Sequence, residues 1–195
     1  MTTANKLTLL RVILIPVMIV VLYIDYLKIP TNFIGMTVQQ IIFAGIFVVA
    51  SITDFVDGYV ARKFNQITTF GKFLDPIADK VLVFAALLYL MIATPDRVPL
   101  WTVMIVIVRE FLVTGVRLLA VEKGNVIAAS NWGKYKTFST MVAIIIFLFN
   151  DFGLTLISPN FVWFGNVIYY IAIFFTIFSG MDYLLKNKDV VLESI

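Results

Sequence analysis

The polar stretch SITDFVDGYVARKFNQITTFGKFLDPIADK, residues 51–80, interrupts an otherwise strongly apolar sequence. It carries four aspartates, Asp54, Asp57, Asp75 and Asp79, although 61% of the 195 residues are hydrophobic and only 14% are charged. So low a charged content lies well outside the range of soluble domains and indicates an integral membrane protein. In such a protein the position of these carboxylates decides how the helices must pack.

The residue types that are absent restrict the chemistry. The sequence contains no cysteine and no histidine, which excludes disulfides, thiolate or imidazole metal sites and nucleophile–histidine pairs. Any metal ion must therefore be held by oxygen atoms. The first 30 residues have no small-residue cleavage site after a short apolar core, so we expect them to form a retained membrane segment.

Apolar runs of about 20 residues are long enough to cross the hydrocarbon core of a bilayer. We expect an all-α integral membrane fold with six transmembrane helices, in one domain over residues 1–195 and without a separate soluble domain. The predicted spans are residues 7–26, 36–61, 71–93, 99–121, 134–150 and 161–185.

The basic residues are distributed unequally between the predicted loops and helix ends. Thirteen of the fifteen lysines and arginines fall toward one face, and only Lys28 and Arg97 fall toward the other. By the positive-inside rule this places both termini in the cytoplasm, in a multi-pass protein of the cell membrane. Attraction to anionic lipid accounts for part of this excess, so we expect membrane lipid, and no nucleic acid, to meet the basic face.

The four aspartates have matching depths if residues 51–80 form two helices that meet in a turn near Gln66. Asp57 and Asp75 each lie nine residues from that turn, and Asp54 and Asp79 lie about one helical turn deeper. The spacings also place each pair on one helix face. We therefore expect four carboxylates to converge on a polar cavity that opens to the cytoplasm.

Converging carboxylates in a membrane need compensating positive charge. Paired oxygen ligands suit Mg²⁺, Mn²⁺ or Ca²⁺, and four carboxylates can hold two such ions as a clamp on a phosphate. One alternative is that the aspartates are structural and pair with Arg62, Lys72 or Lys80. A second alternative is a proton or cation transporter, although the chain lacks the repeated halves of many transporters.

The spacing Asp54-x2-Asp57-Gly58-x2-Ala61-Arg62-x8-Gly71-x3-Asp75-x3-Asp79 resembles, at every fixed position, the signature of the CDP-alcohol phosphatidyltransferases. The six-span layout and the length also resemble that family. The resemblance implies transfer of a phosphatidyl group from a CDP-linked donor, usually CDP-diacylglycerol, to an alcohol, with release of CMP. It also suggests a homodimer.

The resemblance further implies roles for the residues of this signature. The first three aspartates would bind two divalent ions, Mg²⁺ or Mn²⁺, and the fourth, Asp79, would lie near the metals and act as the base. The small residues would leave room for the donor's cytidine and ribose, while the arginine would bind a phosphate. Helix packing and topology are the alternative roles for these donor-binding residues, which are Gly58, Ala61, Arg62 and Gly71.

Three further stretches resemble family members whose acceptor is glycerol 3-phosphate: NKLTLLR at 5–11, REFLVTGVR at 109–117 and GKYKT at 133–137. This implies phosphatidylglycerol phosphate as the product. We assign Asn5 and Thr8 to the donor site. A small dianion also needs cations beside the metals, and the candidates for the acceptor phosphate are Arg109, Arg117, Lys134 and Lys136.

These basic residues also have simpler interpretations. Arg109 and Glu110 could neutralise each other within the helix bundle, and the remaining cations could serve topology alone. The same chemistry with another acceptor, such as inositol phosphate, serine or phosphatidylglycerol, also stays open.

Overall fold

The computed structural model describes the backbone of residues 3–63, 69–122, 124, 127 and 130–189, and the side chains of residues 7–54, 74–122 and the later described positions. Throughout these ranges regular structure is helical, apart from an isolated antiparallel bridge between Pro30 and Thr37. The all-α prediction is therefore confirmed. The α-helices are α1 (Thr3–Val21), α2 (Val38–Lys63), α3 (Thr69–Ala93), α4 (Leu100–Glu122), α5 (Asn131–Leu148), α6 (Leu154–Ile157) and α7 (Val162–Lys186).

The six long helices lie close to the six predicted spans, and the largest difference is at the end of α1. The prediction continued to residue 26, but the helix ends at Val21. The amides of Leu22 and Tyr23 donate to the carbonyls of Ile19 and Val20, three residues back, which tightens the last turn. A short 3₁₀ turn follows at Asp25–Leu27. Apolar residues thus continue beyond the helix as a turn.

Two segments of the described chain are long and apolar enough to cross a membrane, Leu74–Ala93 and Pro159–Lys186. A third is possible if Asn131–Leu148 and Asn150–Ile157, which are bent by 59° at their junction, count as one broken span. Leu7–Val21 and Val38–Asp54 are apolar but shorter. The chain is thus a membrane protein with two or three spans supported by length and composition among its described residues.

The packed core lies toward one end of the bundle. Met18 of α1, Phe43 and Phe47 of α2, Leu87 of α3 and Ile144 of α5 are buried together there. Helix α1 packs against α2 and α3, while α7 packs against α4 and α5. The opposite end of these helices carries buried and half-buried polar side chains, and this is where the candidate site lies.

At the core end, a left-handed turn joins α5 to α6. Asn150, Asp151 and Phe152 have φ values of 50°, 53° and 54°, and Gly153 follows with φ 74°. A non-glycine residue in this region costs about 1–2 kcal/mol, so the turn needs support from its surroundings. The Asn150 side chain provides part of it by donating to the Ile34 carbonyl at 2.9 Å.

An ion pair with a buried carboxylate also holds this turn. Arg97, just before α4, donates from Nη1 and Nη2 to the two carboxylate oxygens of Asp151 at 2.6 and 2.9 Å, and from Nε to Asn166 at 2.7 Å. Asp151 is fully buried. The pair passes directly over Gly165 of α7, where even a methyl group would overlap it. This Arg97–Asp151 clamp fixes α4, α5 and α7 to one another at the core end.

Candidate active site

Arg11 of α1 joins two of the predicted aspartates. Its Nη1 atom lies 2.7 Å from Asp54 Oδ1 and donates to Asp79 Oδ1 at 2.5 Å. The Arg11 side chain is 0% exposed, whereas those of Asp54 and Asp79 are 42% and 47% exposed. A single guanidinium therefore ties α1, α2 and α3 together and leaves both carboxylates accessible.

Thr8 lies one turn before Arg11 and contacts a third aspartate. It is buried, and its hydroxyl donates to Asp75 Oδ1 at 2.8 Å. The charges of Asp54 and Asp75 both act on Asp79. The structure thus gathers three of the four predicted aspartates around one face of α1, and it places the predicted donor-binding residue Thr8 against a carboxylate.

The other residues of this predicted site have described backbones only. Their side chains lie outside the described part of the structure, so only the helix to which each residue belongs is given. They are Asp57, Gly58, Ala61 and Arg62 in α2, Gly71 in α3 and Asn5 in α1.

The donor atoms around Arg11 fit a hard divalent cation. Among the side chains that the structure describes, no group of three or more acidic, histidine or cysteine residues is placed to hold one ion, and the predicted ligand Asp57 is outside that set. Asp54 and Asp79 nevertheless meet at one nitrogen and present partly exposed carboxylate oxygens. These are the ligands that Mg²⁺ and Mn²⁺ prefer.

A second polar cluster links α4, α5 and α7. Glu110 accepts from Arg109 Nη1 at 2.8 Å and from the buried Lys136 ammonium group. Arg109 Nη2 also donates to Ser179 of α7 at 3.1 Å. The structure therefore brings two of the predicted acceptor-site cations, Arg109 and Lys136, together at one carboxylate. The contact between Arg109 and Glu110 is the pairing that the sequence analysis named as an alternative.

Two glycines leave room for Arg109 between α5 and α7. A methyl group on Gly180 would lie 3.0 Å from Arg109 Cγ, and one on Gly133 would lie 3.7 Å from Nη2. The small residues therefore let both helices approach a bulky half-buried arginine, whose guanidinium is held by Glu110 and Ser179.

The other two predicted acceptor-site residues are more exposed. Arg117 lies with its guanidinium carbon 5.6 Å from the ring centre of Tyr183, and Lys134 is an exposed residue of the first turn of α5. In the described part of the chain neither forms an ion pair with Glu110. The structure does not join these two to the Arg109–Lys136 pair directly.

Sequence reasoning gave no site role to two cations that the structure places there. Arg11 was placed on one helical face with Asn5 and Thr8 and counted as a topology charge, but it was given no role in the site. Lys80 was considered as a partner of the aspartates. Its ammonium group contacts the Thr114 hydroxyl of α4 instead, because successive residues of a helix point about 100° apart.

Comparison with known proteins shows which family the chain belongs to. The family model for CDP-alcohol phosphatidyltransferases matches residues 1–178. A protein of Bacillus subtilis (strain 168) named CDP-diacylglycerol–glycerol-3-phosphate 3-phosphatidyltransferase is 40% identical over 192 residues, which are 97% of each chain. Proteins with the same name from Rickettsia bellii (strain RML369-C) and Haemophilus influenzae (strain Rd) are 40% and 36% identical.

These alignments cover 94% of this chain and of the Rickettsia protein, and 97% and 95% of this chain and the Haemophilus protein. The similarity therefore spans both polar clusters and the helices between them. The chain belongs to the CDP-alcohol phosphatidyltransferase family.

Proposed function

We propose that the chain transfers the phosphatidyl group of CDP-diacylglycerol to glycerol 3-phosphate, giving phosphatidylglycerol phosphate and CMP. The names of the relatives support this reaction. The observation that carries it is the pair of polar clusters on the two sides of α3. Asp79 accepts from Arg11, which also pairs with Asp54, and the next residue, Lys80, contacts Thr114 of α4, one turn after Glu110.

The two clusters suit the two substrates. In the described part of the site, two acids, Glu110 and the neighbouring Asp79, stand against four cations, and this excess of positive charge suits a small dianionic acceptor. A zwitterion such as serine has no phosphate to compensate these charges. The observation therefore favours a phosphorylated acceptor. The four cations of this basic cluster are Lys80, Arg109, Arg117 and Lys136.

The proposed chemistry is a displacement at phosphorus. The acceptor hydroxyl oxygen bonds to the phosphorus that carries diacylglycerol, the bond from that phosphorus to CMP breaks, and Asp79 takes the hydroxyl proton. Arg11 holds Asp79 beside Asp54, and Thr8 orients Asp75. The helices thus present the base and its neighbouring carboxylates in fixed directions.

We propose that Asp54, Asp57, Asp75 and Asp79 would hold Mg²⁺ or Mn²⁺, two ions in all. When bound there, such ions supply positive charge for the pyrophosphate of the donor and for the departing CMP. Gly58, Ala61, Arg62, Gly71, Asn5 and Thr8 would complete the donor site, and Arg109, Arg117, Lys134 and Lys136 the acceptor site.

We also propose six membrane spans in a single domain, with both termini and the polar end of the bundle in the cytoplasm. The six long helices and the excess of basic residues toward one face support this topology. A water-soluble acceptor could then reach the site from the cytoplasm while the lipid donor enters from the bilayer. The family resemblance also suggests a homodimer.

The test is CMP release by the purified chain in lipid vesicles that contain CDP-diacylglycerol. Each candidate acceptor is added separately: glycerol 3-phosphate, inositol phosphate, serine and phosphatidylglycerol. We expect release with glycerol 3-phosphate and formation of phosphatidylglycerol phosphate. Faster release with another acceptor would replace the acceptor assignment, and cation uptake without CMP release would replace the reaction by transport.

A further inference from the structure

Lys80 is held in a specific position between α3 and α4. Its ammonium group contacts Thr114 Oγ1. The same hydroxyl donates to the Glu110 carbonyl at 2.7 Å, so its hydrogen is committed and its lone pair faces the lysine. A lysine that served only topology would normally extend toward water or lipid headgroups, whereas this half-buried one is anchored to a neighbouring helix.

The described carboxylates near Lys80 form their ion pairs with other cations. Glu110, Arg117, Arg109 and Asp79 act on it electrostatically. However, Asp79 accepts a hydrogen bond from Arg11, and Glu110 accepts hydrogen bonds from Arg109 and Lys136. Among the described acids, none forms an ion pair with Lys80. A partly buried cation in this situation is an expected binding point for an anion.

We propose that Lys80 binds the phosphate of the acceptor and that Thr114 positions its ammonium group for this contact. The proposal rests on the proposed function. Asp79 and Lys80 are consecutive residues of one helix, with Cα atoms about 3.8 Å apart. The base and the phosphate-binding cation are therefore fixed by one backbone, which favours an acceptor whose hydroxyl and phosphate are separated by only a few bonds.

This arrangement also assigns different roles to the basic residues. Glu110 holds Arg109 and Lys136 in place and reduces their net charge. Among the described residues, Lys80 contacts a neutral hydroxyl and no carboxylate, so no acid shares its charge. Discrimination between glycerol 3-phosphate and an acceptor without phosphate would then depend strongly on Lys80.

The experiment compares Lys80→Met and Lys80→Arg in the full chain, reconstituted in vesicles with CDP-diacylglycerol. We expect Lys80→Met to raise the KM for glycerol 3-phosphate by about tenfold to a hundredfold, as for loss of a hydrogen bond to a charged group, with the KM for CDP-diacylglycerol nearly unchanged. Lys80→Arg should recover much of the loss. Lys28→Met, which removes an exposed lysine paired with Asp25, is the control for lost charge alone.

A second pair of variants tests the positioning by Thr114. Thr114→Val removes the hydroxyl at nearly constant volume and should raise the acceptor KM in the same direction, whereas Thr114→Ser keeps the hydroxyl and should restore it. Binding is also measured without turnover, as the thermal stabilisation of the donor-free protein by glycerol 3-phosphate. That stabilisation should be present in the wild type and weak in Lys80→Met.

An unchanged acceptor KM and unchanged stabilisation in Lys80→Met would overturn the proposal. Equal increases in the KM values of both substrates would also overturn it, because they would indicate a structural role. Failure of the proposed function is a different result, since the wild type itself would then release no CMP with glycerol 3-phosphate.

Discussion

Gly165→Ala tests the Arg97–Asp151 clamp by adding a single methyl group. The new Cβ would lie 2.1 Å from Asp151 Oδ1 and 2.7 Å from both Arg97 Nη2 and Phe147 Cε1. Cβ atoms in proteins essentially never approach other heavy atoms more closely than 3.0 Å. Asp151 is fully buried and cannot move into solvent. The methyl group must therefore separate the ion pair or displace α7.

The expected loss is large compared with the total stability. Separating the partners of a buried ion pair costs about 3–5 kcal/mol, whereas whole domains are stable by about 5–15 kcal/mol. We expect Gly165→Ala to lower the free energy of unfolding by at least about 3 kcal/mol, measured by denaturation of the purified protein in detergent micelles.

Gly45→Ala in α2 is the matched control for that experiment. A methyl group there meets nothing within 4 Å, and alanine is favoured over glycine inside a helix by about 1 kcal/mol. The control should therefore be as stable as the wild type or more stable. Equal unfolding midpoints for the two variants would refute the close passage of the clamp over Gly165.

Three further predictions concern the site. Asp54→Asn and Asp75→Asn should each abolish CMP release and weaken Mn²⁺ binding measured by electron paramagnetic resonance, and EDTA should silence the wild type until Mg²⁺ or Mn²⁺ is restored; near-normal turnover in either variant would contradict the metal-ligand role. Asp79→Asn should lower kcat strongly while CDP-diacylglycerol still binds, because the proton acceptor is lost; a parallel loss of donor affinity would indicate that Asp79 is chiefly a metal ligand. Gly180→Ala should raise the KM for glycerol 3-phosphate more than that for the donor, because its Cβ would press on Arg109 Cγ at 3.0 Å; an unchanged acceptor KM would show that the position of Arg109 does not matter for acceptor binding.

The helices were predictable from the sequence because apolar runs and breakers determine them. Residues 71–93 and 161–185 were predicted as spans, and the structure has helices at Thr69–Ala93 and Val162–Lys186. The end of α1 was predicted too far along the chain, because hydropathy does not distinguish a helix from an apolar turn. Local spacing alone also predicted that Asp75 and Asp79 share one face of a helix.

Partners across the bundle were harder to predict. The pairing of Arg11 with Asp54 and Asp79 depends on how α1 packs against α2 and α3, and residues 43 and 68 positions apart in the chain carry no local signal for it. The same applies to Lys80, whose contact with Thr114 is decided by the approach of α4. The sequence indicates which residues are polar, but helix packing selects their partners.

The contact of Arg11 with the aspartates also has a consequence for biosynthesis. Helix α1 is synthesised before α2 and α3, so with the six proposed spans its guanidinium would already be present when Asp54 and Asp79 reach the bilayer. An unpaired aspartate at mid-helix costs about 2.5–3.5 kcal/mol on insertion, and early pairing would remove much of that barrier. We therefore expect the first three helices to insert cooperatively. Arg11→Leu should improve insertion of α1 alone and impair that of α2 and α3, which glycosylation mapping of nascent chains can measure; unchanged insertion of α2 and α3 would show that these helices enter the membrane independently.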